Sequence, residues 1–224
     1  MCFVGRERES RKIKRLLQQG KNVILTGKFG IGRTALTKHI AGTTENRWRF
    51  FFVDFSQTPG NVIKQLSANL LPGRKTGSKG DYLRYKSGRF LIAGAALKIK
   101  SEDKRTPVLV LDNIAKLTTQ KLQLIRYLVQ ESKFQFVAII ESFLPKEDWF
   151  LLRAALLPAE IIILPYLSEG STKKLFRHLA EKHTFNWSEQ RLNMFVSINR
   201  GYPLGVYEII QRELRARRKD ASRQ

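Results

Sequence analysis

Cysteine is almost missing from this sequence. Cys2 is the only one in 224 residues, so no internal disulfide can form and a reducing, cytoplasmic setting is expected. Acids are scarce as well: 19 Asp and Glu stand against 41 Lys and Arg, a formal charge of +22. No apolar run reaches the ~18 residues that would cross a bilayer. The longest, over 154–167, is broken by Pro158, Glu160 and Pro165. The opening MCFVGRERESRK places charges where a secretory leader needs its apolar segment, so no leader is expected. Histidine is confined to His39, His178 and His183, without Cys or carboxylates at metal-ligand spacing, which argues against a zinc site. No Ser-His-Asp or Cys-His arrangement points to nucleophilic catalysis. What is present suffices for a folded core, with 42% hydrophobic and 10% aromatic residues. The surplus of positive charge favours polyanionic partners, nucleic acid first.

Short β-branched runs alternate with longer amphipathic stretches, the pattern of a parallel α/β sheet. Strands are predicted over 22–26, 48–55, 107–112, 135–141 and 160–164, each a continuous apolar block as expected for strands covered on both faces. Helices are predicted over 7–19, 33–41, 61–70, 89–98, 118–131 and 147–156. After Pro165 the strand pattern stops, and 168–182, 188–198 and 203–217 read as helices opened by a capping serine or an N1 proline. The organisation expected is therefore an α/β core over 1–166, a small helical unit over 167–217 and a basic tail over 218–224. Residues 72–89, PGRKTGSKGDYLRYKSGR, are rich in glycine and cations and poor in aliphatics, the composition of a loop inserted into the core.

The segment VILTGKFGIGRTAL follows a strand, opens a helix and fits the phosphate-loop template G-x-x-x-x-G-K-[ST] except at one position. Gly27, Gly30 and Gly32 free the backbone to turn its N–H groups toward phosphate, with Phe29, Ile31 and Ala35 completing the loop and first helical turn. Thr34 supplies a hydroxyl for Mg²⁺. Arg33 stands where lysine is expected; it keeps the charge but is bulkier and planar, so it need not reach the phosphates by the same path. A second element, Val-Leu-Val-Leu-Asp112-Asn113, is a buried strand ending in a carboxylate placed to hold Mg²⁺. Asn113 follows, where an ATP-hydrolysing enzyme of this type usually carries Glu, and an amide cannot take a proton from water. These two departures predict slow or absent hydrolysis. At the tip of the next strand, Glu141 and Ser142 can contact a terminal phosphate or orient water; a carboxylate there can equally cap the helix that follows Pro145.

These elements, in this order, resemble the AAA+ ATPases, and more narrowly the branch holding the origin-binding initiators and the STAND regulators. The resemblance rests also on FVGRE at 3–7, on EIIILPYLSE at 160–169 and on NRGYPL at 199–204, and spans essentially the whole chain. It implies a P-loop core followed by a helical lid, with ATP and Mg²⁺ held between them. Val4, Gly5 and Arg6 then sit in the box that contacts adenine, and Pro203 in the lid's G-x-P-L motif. Arg153 occupies about the position of the arginine that reaches into a neighbouring subunit's nucleotide, or is a solvated arginine on an amphipathic helix. The lid's usual sensor arginine has no clear match, since Arg200 is not at the typical position.

Charge is concentrated in two places. Ten Lys or Arg fall within 72–105 against three acids, and six within 211–224 against two. In the first stretch Arg74, Lys75, Lys79, Arg84, Lys86 and Arg89 are the candidate nucleic-acid contacts, with Tyr82 and Tyr85 interleaved for stacking. No groove-entering recognition helix is evident, so the contact expected is to the backbone of duplex DNA, with RNA left open. The function expected is an ATP-binding, DNA-binding AAA+ protein that assembles on DNA under nucleotide control, as a homo-oligomer or with other AAA+ subunits, and without a membrane. Two alternatives stand beside it: a non-hydrolysing ATPase serving as scaffold or partner subunit, and a nucleotide switch in signalling.

Overall fold

The computed structural model describes residues 3–70, 104–131 and 134–221. In chain order the elements are α1 (Glu7–Gln18), β1 (Asn22–Thr26), α2 (Arg33–Thr43), β2 (Trp48–Asp54), α3 (Pro59–Leu70), β3 (Thr106–Ile114), α4 (Thr119–Glu131), β4 (Gln135–Ile140), α5 (Lys146–Ala155), β5 (Ala159–Ile163), α6 (Glu169–Lys182), α7 (Glu189–Asn199) and α8 (Pro203–Ala221). The predicted loop 72–89 and helix 89–98 lie outside the described residues.

The strands form one parallel sheet in the order β2-β3-β4-β1-β5. Its β1, β3 and β4 segments Val23–Leu25, Val108–Leu111 and Phe136–Ile140 are buried throughout, as continuous apolar runs require when both faces are covered. One face packs on Ile13 and Leu17 of α1 and Leu36 and Ile40 of α2; the other packs on Val62, Leu66, Leu124, Leu128 and Leu152 of α3, α4 and α5. Burial of this kind contributes roughly 25 cal/mol per Å² of apolar surface. The β2 and β5 runs depart from the expectation of complete cover because they are the sheet's outer strands. In β2 alternate residues are only partly buried, and in β5 Ile163 is 70% exposed.

Three further helices, α6–α8, enclose their own apolar cluster around Phe176, Phe195, Val206 and Ile210. Ser168 and Ser188 cap α6 and α7 as the sequence predicts, each accepting a backbone N–H three residues on, at 3.2 and 3.3 Å. The last helix continues to Ala221, so 218–221 are helical where a tail was expected. Among the described residues no helix is long and apolar enough to cross a membrane.

The topology matters for the site because β4 lies between β1 and β3. The loop after β1, the carboxylate at the end of β3 and the tip of β4 therefore converge at one edge of the sheet. There β3 breaks register between Leu111 and Ile114, and Asn113 adopts a left-handed φ of +60°.

Candidate functional site

A cavity of about 340 Å³ opens between the loop after β1, the residues before α1 and the start of α8. Its lining divides by chemistry. Phe3, Val4, Leu167, Leu175 and Pro203 contribute apolar surface, while Arg33, Thr34, Asn113 and Glu141 contribute polar groups. The loop is shaped by glycines at positive φ. At Gly30, φ is +71° and a Cβ would lie 2.6 Å from Tyr202 Oη and 2.7 Å from Leu204 Cβ, so only glycine lets the loop touch the C-terminal helices. Gly32, at φ +93°, caps α2, and the bond from Leu36 N–H to Gly32 carbonyl leaves the N–H groups of Arg33, Thr34 and Ala35 without intrahelical partners. Those orphan donors at a helix N-terminus suit a phosphate.

Two P-loop side chains meet two strand-tip carboxylates. The Thr34 hydroxyl donates to Asp112 Oδ1 at 3.0 Å, across 78 residues of sequence. The Asn113 backbone N–H donates to the same oxygen at 3.0 Å. Burial pushes the Asp112 carboxyl above the usual aspartate range, with the Thr34 and Asn113 hydrogen bonds opposing. The neighbouring contact is of another kind. Arg33 turns back under the loop: Nη1 donates to the Ile140 carbonyl and Nη2 to Glu141 Oε2 at 2.7 Å. The two side chains are 7% and 12% exposed, so the pair is a buried salt bridge.

Other predicted site residues are distributed as follows. Arg6 is buried, and its guanidinium donates to the carbonyls of Ile31 at 3.2 Å and Pro165 at 2.7 Å. It thus ties the phosphate loop to the segment leading into α6 while still lining the cavity. Burial lowers its pKa, with Glu9 opposing. Gly5 and Gly27 are not in the cavity lining; a Cβ on Gly5 would meet Ser171, and one on Gly27 would lie 3.0 Å from the Leu164 carbonyl. Phe29, Ile31 and Ala35 line the cavity, Phe29 with 68% of its surface exposed. Ser142 is exposed beyond the tip of β4 and does not line it, and Arg153 is exposed on α5. The cationic residues Arg74, Lys75, Lys79, Arg84, Lys86 and Arg89 lie outside the described residues.

Sequence reasoning missed Phe3, Leu204 and Tyr207 in the cavity wall, although Pro203 and Tyr207 share one face of α8 at i, i+4 spacing. It also missed Asp54, whose Oδ1 accepts from Asn113 Nδ2 at 3.3 Å. Burial would raise Asp54, but hydrogen bonds from Ser56, Asn113 and Gln57 outweigh it and hold the carboxyl below the usual range. The available signal was its place, an acid closing an apolar strand just as Asp112 does.

The family profile of the AAA ATPase domain matches residues 2–140, more than half of the chain. The chain belongs to the AAA ATPase domain family. Solved structures agree on the AAA fold. The Aeropyrum pernix Orc1 protein in complex with DNA aligns with a TM-score of 0.67 at 14% identity, covering 97% of this chain and 62% of that one. The Thermotoga maritima RuvB Holliday junction branch migration motor aligns at a TM-score of 0.55 and 15% identity, covering 94% and 62%. The chain thus spans about three fifths of the length of these structures. A search of curated proteins finds no match.

The site fits the nucleotide that an AAA ATPase domain implies, with apolar lining for a base, orphan N–H groups for phosphates and a hydroxyl–carboxylate pair for a cation. Among the described residues no three His, Cys, Asp or Glu side chains cluster to hold a metal. A cation at Thr34 and Asp112 would complete its shell from phosphate oxygens and water, as Mg²⁺ commonly does.

Proposed function

We propose that this chain is a nucleotide-gated assembly module that binds Mg-ATP, turns it over slowly or not at all, and docks on the backbone of duplex DNA. The observation that carries the reading is the split at the mouth of the P-loop. Thr34 and Asp112 meet where Mg²⁺ would sit, whereas Arg33 is spent on Glu141 and Asn113 replaces the expected base.

In this reading the N–H groups of Arg33, Thr34 and Ala35 cradle the phosphates, and Phe3, Val4 and Pro203 enclose the base. Helices α6–α8 act as a lid hinged near Pro165 and Leu167, which Gly201 holds through a 2.8 Å bond from Leu167 N–H to its carbonyl. Bound nucleotide supplies the charge that draws loop and lid together. Slow turnover follows because the amide of Asn113 cannot accept a proton from water and Glu141 is already neutralised by Arg33. DNA as partner is supported by the +22 charge and by the structural neighbours, one solved in complex with DNA and one a Holliday junction branch migration motor. Assembly with further copies or other AAA subunits is the corresponding mode of action.

Two measurements test this. Displacement of a fluorescent ATP analogue, with phosphate release followed in parallel, should give Mg-dependent binding with release near background. Anisotropy of a labelled duplex, with and without Mg-ATP, should show binding strengthened by nucleotide. Robust multiple turnover would overturn the slow-turnover reading, and duplex binding indifferent to ATP would overturn the gating.

A further inference from the structure

The outer face of α1 carries Arg8, Arg11, Lys12 and Arg15, all exposed and spaced i, i+3, i+4, i+7, which places them in one stripe. None of these four side chains has a hydrogen bond or ion pair among the described residues. The acids of α1 are used elsewhere: Glu7 accepts from the Gly5 backbone N–H at 3.1 Å, and Glu9 faces Arg6 at 3.8 Å. Glu7 still feels Arg11, which helps its backbone hydrogen bonds to hold it below the usual carboxylate range. Some other surface cations are matched. Lys173 and Arg177 both bridge Glu189, Arg191 bridges Glu213, and Lys21, just past α1, bridges Glu160.

A stripe of unmatched like charges weakens an isolated helix, since neighbours at i+3 and i+4 repel and cations in its first turns oppose the helix dipole. Packing does not explain it either, because α1 meets the core through Ile13, Leu16 and Leu17 on its other side. Beyond the end of α1, Arg47 is a further exposed cation, its guanidinium 5.2 Å from the Trp48 ring. On the flank, Lys14 helps burial to push His39 below the usual imidazole range.

We propose that this face of α1 is a docking surface for a nucleic-acid backbone, distinct from the nucleotide cavity. The inference rests on the reading that the chain binds duplex DNA, and assigns where. From Arg8 to Arg15 the helix rises roughly 10 Å at 1.5 Å per residue. That equals about three phosphate steps along one strand of B-form DNA. Duplex DNA is preferred to an anionic lipid surface because the stripe has no bulky apolar residue beside it to enter a membrane.

The test uses the full chain and a labelled duplex titrated by anisotropy across about 50–200 mM salt. A variant with Arg8, Arg11, Lys12 and Arg15 all changed to Gln should bind about tenfold more weakly or worse. Its plot of log affinity against log salt should be shallower by about 3 to 4, at roughly 0.9 per lost phosphate contact. Thermal melts should match the parent or rise slightly, because the substituted side chains are exposed, unpaired and mutually repulsive. Changing the three arginines to Lys should preserve binding, because a backbone contact reads charge. A second variant, neutralised at Lys75, Lys79, Arg84 and Lys86, separates the two surfaces. If the α1 variant binds as the parent does while the loop variant fails, this inference is overturned and the proposed function survives. If the parent binds no duplex at the lowest salt, both fall. If the α1 variant loses co-sedimentation with phosphatidylserine vesicles but keeps duplex affinity, the nucleic-acid assignment is overturned.

Discussion

Two contacts at the mouth of the P-loop look alike in outline and differ in consequence. In each, a side chain from the first turn of α2 meets a carboxylate at a strand tip. Thr34, which lines the cavity, meets Asp112 through one hydroxyl at 3.0 Å, and the acid, which does not itself line it, makes no ion pair among the described residues. Arg33 meets Glu141 at 2.7 Å in a largely buried ion pair at the cavity wall, and its guanidinium also donates to the Ile140 carbonyl. A neutral hydroxyl leaves its carboxylate in want of a cation, while a guanidinium satisfies its own. The first contact is built to receive something and the second is complete. Arg33 thus serves as a strut between α2 and the sheet.

Breaking the strut has the largest expected effect. Arg33→Ala strands a buried carboxylate and an unpaired Ile140 carbonyl, and loss of one partner of a buried ion pair costs about 3–5 kcal/mol. For a chain of this size that lowers Tm by roughly 10 °C or more. A variant melting within a degree of the parent would show that the pair is not a strut.

Opening the other contact should do far less. Thr34→Ala removes one neutral hydrogen bond, worth about 1 kcal/mol of stability. Its effect belongs instead in nucleotide affinity: binding of the fluorescent analogue should lose most of its dependence on Mg²⁺ and keep its Mg-independent part. Unchanged Mg²⁺ dependence in Thr34→Ala would remove this residue from the cation site.

Much of this arrangement could be read in the sequence. The runs around Val23–Leu25 and Val108–Leu111 announce buried parallel strands, and the P-loop followed by an acid-ended strand places Thr34 near Asp112 before any coordinates are known. The partner of Arg33 could not be read, because it lies 108 residues away and becomes a neighbour only once β4 inserts between β1 and β3. Arg6 was legible as part of an N-terminal box, yet its carbonyl partners at Ile31 and Pro165 are backbone atoms that no side-chain pattern marks. The stripe on α1 was written in the sequence at helical spacing; its lack of partners was not, since pairing depends on which acids the fold brings close.

Asp112→Asn sharpens the comparison with a smaller effect of opposite sign. Asn keeps an acceptor for Thr34 and the Asn113 N–H while removing a charge that burial disfavours. Because Asp112 has its folded-state pKa raised, the wild-type protein holds that contribution fully below the ordinary aspartate range and loses it as pH rises through the raised value. The variant should therefore be slightly more stable than the parent at neutral pH without nucleotide, and the difference should vanish on acidification. With Mg-ATP the order should reverse, because the parent alone gains the cation. A variant that stays the more stable in saturating Mg-ATP would mean that Asp112 does not hold it.

The smallest expected effect on the isolated chain carries information about the assembled one. Arg153 is exposed on α5 and makes no side-chain hydrogen bond or ion pair among the described residues, so Arg153→Gln should shift stability by no more than about 0.5 kcal/mol. Nucleotide affinity should also be unchanged, since Arg153 does not line the cavity. If Arg33 is committed to Glu141, however, this chain brings no P-loop side-chain cation to the terminal phosphate, and a neighbouring copy has reason to supply one. Arg153 is the residue in the position to do so by resemblance to the AAA+ pattern. Arg153→Gln should then reduce ATP-dependent growth of complexes on DNA, measured by mass photometry, while single-copy nucleotide binding stays at the parent value. Complexes of the same size distribution in both proteins would leave Arg153 a solvated surface residue. The charge left open by the Arg33–Glu141 pair would then have to be met by Mg²⁺ and backbone N–H groups alone, making ATP a weak, slowly hydrolysed clamp.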